Sequence, residues 1–136
     1  MGSSKKGGTR GTLFRKLADM RLRDAEVLLS NKRFHGALYL AGYSVECALK
    51  WAITQHEEGI YLPADLEVHD LQKLMGRSGL AQDLQRDMAI SPLFSALVDD
   101  WGPQERYAAS KLDGKTALRL YKQTNQVYKW ILERAI

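Results

Sequence analysis

A chain of 136 residues that is 45% hydrophobic and 26% charged has room for one domain around one core, and needs neither disulfide nor metal to fold. Its single cysteine, Cys47, has no internal partner, which leads us to expect a reducing, cytoplasmic setting. No apolar run approaches the ~18 residues that cross a bilayer, no signal-peptide pattern opens the chain, and Lys6 stands where a myristoylation start wants Ser or Thr, so secreted and membrane classes are set aside.

Residues 1–11 are rich in Gly, Ser and basic side chains and are read as a disordered basic arm; residues 12–136 form the helical domain. The first helix is predicted over about 13–30 with Thr12 as its N-cap, because Phe14, Ala18, Leu22, Ala25 and Leu29 recur at spacings of three and four. Arg15, Lys16 and Arg23 lie off that stripe. Residues 1–33 hold nine basic side chains against three acidic ones, whereas the remainder is slightly acidic and the whole chain is +4. Such a field attracts polyanions, and Arg15, Lys16 and Arg23 are candidate electrostatic contacts to RNA; a solvated tail beside a wet helix face is the plainer reading.

The second helix, about 33–57, is apolar nearly all round. One face carries Phe34, Ala37, Leu38, Ala41, Val45, Ala48, Leu49 and Ala52, while Tyr39, Leu40, Tyr43, Cys47 and Trp51 occupy much of the rest. A helix of that kind sits at the centre of its domain. Gly42 in mid-helix costs about 1 kcal/mol relative to Ala, a cost that close packing explains. Glu57-Glu58-Gly59 ends the helix and Pro63 keeps the next stretch a loop. A short helix with Leu71, Leu74 and Met75 follows, capped by Asp70 or His69. Another runs from about Leu80 through Leu84 and Met88, and Ser91-Pro92 restarts the chain as N-cap and first helical residue. Trp101-Gly102-Pro103 ends that piece. After Asp113-Gly114 the last helix runs to about Ala135 on a stripe of Ala117, Tyr121, Thr124, Tyr128, Ile131 and Ala135. The expected class is all-α, an antiparallel bundle of four main helices with a short additional helix.

His35, His56 and His69 stand apart and Cys47 has no second thiol, so no metal site and no cofactor are expected. No Gly-rich phosphate loop precedes a helix, and Cys47 on an apolar helix reads as a small core residue rather than a nucleophile. Two polar groups look out of place. Glu46 and Lys50 are four apart in the order that favours an ion pair, on a helix with few polar positions to spare. They form either a surface strip or a polar notch lined by Glu46 beside Tyr43. Arg106-Tyr107 follows the break at Trp101, offering a planar fork of donors for phosphate and a ring for stacking or packing.

The segment Phe34-His35-Gly36-Ala37-Leu38-Tyr39-Leu40-Ala41-Gly42-Tyr43-Ser44-Val45-Glu46-Cys47-Ala48-Leu49-Lys50, followed by His69-Asp70-Leu71 with Leu74 and by Arg106-Tyr107, resembles the HEPN domain family over residues 12–135. The resemblance implies a bundle of four main helices, commonly paired into a dimer. It also implies small stand-alone proteins, often beside a minimal nucleotidyltransferase in toxin–antitoxin or antiviral systems. Many members are metal-independent ribonucleases that use an Arg, four to six arbitrary residues and a His. Here no histidine follows Arg106 at that interval. Arginine stabilises charge but does not shuttle protons at neutral pH, so ribonuclease activity is not carried over and no catalytic residue is assigned.

What the resemblance leaves is a non-catalytic protein that binds nucleotide or RNA, with Tyr43, Glu46, Lys50, Arg106 and Tyr107 as its ligand site. Its expected partners are a second copy or a nucleotidyltransferase-type protein, and no membrane. A ribonuclease with a rearranged site using His35 or His69 is one alternative. A purely structural dimerisation module, with Trp51, Trp101 or Trp130 as anchors, is the other.

Overall fold

A computed structural model describes residues 8–101 and 112–135. Within them the chain is all-α: α1 (Gly11–Ser30), α2 (Phe34–His56), α3 (Leu71–Arg77), α4 (Ala81–Arg86), α5 (Ser91–Asp100) and α6 (Gly114–Arg134), with a 3-10 turn at Ala64–Leu66. Among the described residues the one extended pairing is an isolated bridge between Arg10 and Tyr61.

α2 is the central helix. Fourteen of its 23 residues are buried, polar ones included. Gly11 at the start of α1 lies against Thr54 near the end of α2, and Gly36 at the start of α2 lies against Leu28 near the end of α1, so the two helices run antiparallel. The three-residue link between them leaves no alternative. Phe14, Ala18 and Ala25 are buried and Leu22 and Leu29 half-buried, as the period of three and four requires. Gly114 opens α6 beside Phe34; farther on Tyr121 packs with Ala25, Leu38 and Ala41, and the Tyr128 hydroxyl donates to Asp19. Hence α6 runs with α2 and against α1. The core forms where these helices meet, closed at one end by Leu62, Leu66, Leu71 and Leu74 from the α2–α3 connection and α3.

Two helix starts differ from expectation. Arg10, not Thr12, occupies the N-cap of α1, and no side chain caps it. Upstream the backbone is pinned instead by a distant segment: the Gly11 N–H donates to Ile60 (2.9 Å) and the Leu62 N–H to Thr9 (2.8 Å), while Thr9 bonds Glu67. Gly8–Arg10, which composition assigns to the arm, are thereby held against the loop after α2. At α5 the N-cap position is Ile90 and Ser91 is already helical, with Pro92 in the first turn. The capping carboxylate belongs to Asp87, whose Oδ1 accepts the N–H groups of Ala89 (3.0 Å) and Ile90 (3.1 Å). The caps of α3 and α6 are Asp70, accepting from the Lys73 N–H at 3.0 Å, and Asp113, accepting from the Thr116 N–H at 2.7 Å.

The second oxygen of Asp87 accepts the indole N–H of Trp130 at 3.0 Å, tying α6 to the α4–α5 link. The Ile90 backbone bond, more than the opposing cost of burial, together with the indole and the Ala89 N–H, holds the Asp87 carboxyl below its ordinary range. A group depressed on folding stabilises the fold above its unfolded value, about 3.9, and loses that contribution as pH falls through the folded one. Asp87→Asn is therefore expected to be less stable than the parent at pH 7, with the gap closing as pH drops below about 4. Urea unfolding from pH 7 to pH 3 checks this. A gap constant with pH would mean the charge of Asp87 contributes nothing.

Candidate functional site

The candidate site is built on α2. Glu46 and Lys50 stand one turn apart, and the Lys50 Nζ lies 2.9 Å from Glu46 Oε2. Neither group reaches open water: Glu46 is 1% exposed and Lys50 5%. The surface strip is thus not what the pair forms; it is an ion pair inside the protein. The ammonium also lies 5.3 Å from the centre of the Phe14 ring on α1, whose π face suits a cation. Burial of two charges is tolerated only when each is matched, and here each is.

The other oxygen of Glu46 meets a residue from a different part of the chain. His69, immediately before the Asp70 cap of α3, places its Nδ1 2.9 Å from Glu46 Oε1. The carboxylate, matched by Lys50, accepts; the Nδ1–H therefore donates. The His69 side chain is 62% exposed, so the imidazole bridges a buried anion and solvent, with Nε2 as its outer nitrogen. An imidazole oriented through one nitrogen by a carboxylate, with the other nitrogen accessible, is the arrangement that general acid–base chemistry uses.

Tyr43, one turn before Cys47, is half-buried. Burial chiefly, then the neighbouring Cys47 and Glu46, raises its phenol above the ordinary value, with Arg21 on α1 opposing. Cys47 is fully buried, and burial followed by the Glu46 charge pushes its thiol up to about 12. It is a core residue with no nucleophilic character at neutral pH.

Arg106 and Tyr107 lie outside the described residues. The nearest described residue before them is Trp101, which is buried on α2: its indole N–H donates to the Tyr39 carbonyl at 2.9 Å, and its ring occupies the space over Gly42. Gly42 is one turn, about 6 Å, from Glu46 along the helix. Of the other tryptophans, Trp130 is buried and Trp51 half-buried under the Arg15 guanidinium, 5.5 Å from the ring centre.

Among the basic residues of α1, Arg15 pairs with Asp19 at 2.7 Å. Burial opposes the charge of Asp19, but the hydrogen bonds from Tyr128 and Arg15 and the charges of Arg15 and Arg23 outweigh it and hold the carboxyl below its ordinary value. Lys16 and Arg23 are exposed. The structure thus brings together Tyr43, Glu46 and Lys50 and adds His69, which the sequence marked as a cap, as part of the family resemblance and as a stand-in histidine, but not as a partner of Glu46. No linear spacing relates residue 69 to residue 46; their meeting depends on how the loop after α2 folds back.

Among the described residues no group of three or more His, Cys, Asp and Glu side chains is placed to hold a metal ion, and no helix is long and apolar enough to cross a membrane. No protein-family model, curated protein or solved structure matches the chain.

Proposed function

We propose that this chain is a HEPN-type protein, a bundle of four main helices with a short additional one, that binds nucleotide or RNA without cleaving it. In this reading it works in the cytoplasm as a homodimer or as the partner of a nucleotidyltransferase-type protein in a prokaryotic defence or toxin–antitoxin system. The observation that carries it is the buried Glu46–Lys50 pair with the exposed His69 seated on it. A small domain keeps such a costly charge cluster beside a solvent-facing imidazole where a polar guest is to be met. Tyr43 lies on the same face of α2, and the reading adds Arg106 as a phosphate fork and Tyr107 as a second ring, both from outside the described residues. The basic α1, through Lys16 and Arg23 with Arg15 beside them, adds long-range attraction for a polyanion.

The test is fluorescence anisotropy with a labelled single-stranded RNA. Affinity is expected to fall steeply as salt rises from 50 to 200 mM, and to fall several-fold in Arg106→Ala. Binding indifferent to both salt and that substitution overturns the reading.

One observation favours a second reading, metal-independent ribonuclease: His69 is held in the geometry of a general base by Glu46. Its Nε2 would take the proton of a ribose 2′-hydroxyl as that oxygen attacks phosphorus. The 5′-oxygen would leave with a proton taken from solvent, giving a 2′,3′-cyclic phosphate, and the imidazolium would then return its own proton to water. RNA cleavage that persists in EDTA and disappears in His69→Ala would replace the binding reading with this one.

A further inference from the structure

Tyr39 is the exposed aromatic side chain of α2. The helix buries most of its side chains, yet Tyr39 is 40% exposed. Its ring does not hang free in water: it rests against the indole of Trp101, with ring centres 5.8 Å apart and planes inclined at 35°. That indole is itself held in place. Its N–H donates to the Tyr39 carbonyl, its face lies on the bare backbone of Gly42, and only 7% of the residue is exposed. Such a ring pair is already in place before any guest arrives, so a guest that covers its outer face does not have to order a flexible side chain first.

We propose that Tyr39 is a base-stacking position, and that the ligand of the site is therefore an unpaired nucleobase of single-stranded RNA rather than a phosphate group alone. This rests on the nucleotide- or RNA-binding reading given above. Tyr39 and Glu46 are seven residues apart on one helix, about 10 Å along its axis, with Tyr43 between them. A base seated on Tyr39 lies about two turns of α2 from Glu46, the buried anion on which the imidazole of His69, from the connection before α3, is seated. Stacking on an aromatic ring tolerates any base, because every base has a π face, and it is denied to a duplex, whose base faces are already covered.

The experiment measures binding of a labelled twelve-nucleotide single-stranded RNA and of the corresponding duplex to the full chain and three variants at fixed low salt. Tyr39→Ala and Tyr39→Leu are expected to bind the single strand about 5- to 100-fold more weakly, and Tyr39→Phe within about twofold of the parent. Leucine keeps Trp101 covered but presents no ring, so it separates stacking from mere apolar cover. The backbone carbonyl that holds Trp101 survives in all three, and circular dichroism reports whether the helices do. A parent that prefers the single strand, with the ring-less variants weakened and Phe intact, supports the inference. A parent that binds RNA while Tyr39→Leu binds equally well overturns the stacking role alone. A parent that binds no RNA at all overturns the underlying reading and the inference with it.

Discussion

Lys50→Met is expected to lower the unfolding free energy by about 3–5 kcal/mol, because it strands the Glu46 carboxylate inside the protein with His69 as its remaining partner. That is a large share of the roughly 5–15 kcal/mol that holds a domain of this kind folded. The change would appear as a lower urea midpoint at an unaltered slope. Methionine matches lysine in bulk and still lies on Phe14, so lost packing contributes little; the lost cation over the ring adds a smaller share. The decisive comparison is the double variant Glu46→Leu/Lys50→Met. With both charges removed no buried ion is left unmatched, and the freed imidazole of His69, 62% exposed, returns to water. The double variant is expected to recover most of the loss. Should Lys50→Met alone fall within about 1 kcal/mol of the parent, the pair is reaching solvent and is not buried as described.

The same pair shows where sequence reasoning reaches and where it stops. Spacing of four on an apolar helix was enough to mark Glu46 and Lys50 as partners, since both the geometry and the burial penalty are local consequences of α2. The helices themselves follow from periodicity: α2 was expected over about 33–57 and forms at Phe34–His56, and the stripe of α6 from Ala117 to Ala135 is buried as drawn. Contacts between distant segments were not legible. Thr12 has the chemistry of a cap, but the start of α1 is set by Thr9 and Gly11 pairing with Ile60 and Leu62, some fifty residues away. Trp130 and Val127 fall beside the drawn stripe of α6 and are buried too, because Asp87 and the α4–α5 link cover a second flank of that helix. His69 reaches Glu46 through a loop whose path depends on Pro63, the 3-10 turn and the Asp70 cap together. Gly42 in mid-helix signals a close approach, and one is made, yet what approaches is an indole.

That indole makes Gly42→Ala the second large effect. Alanine is the better helix former by about 1 kcal/mol, and in an open helix the substitution would stabilise. Here a methyl at position 42 would lie 2.3 Å from both Cδ1 and Nε1 of Trp101, distances no real pair of atoms sustains. Backbone on one side and a rigid, buried ring on the other leave the indole to move. Moving it costs overpacking of about 1–3 kcal/mol, and breaking the Nε1–H bond to the Tyr39 carbonyl strands a buried donor for a further 1–3 kcal/mol or so. Set against the helix gain, a net loss of about 2–3 kcal/mol is expected in urea unfolding, with a red shift in tryptophan emission as Trp101 meets water. In a Trp101→Ala background the obstacle is gone, and Gly42→Ala should turn neutral or stabilising by up to about 1 kcal/mol, so the cycle is strongly non-additive. Loss of the same size in both backgrounds would place the strain elsewhere in α2 and remove the indole from its seat, and with it the rigid backing on which the stacking role of Tyr39 depends.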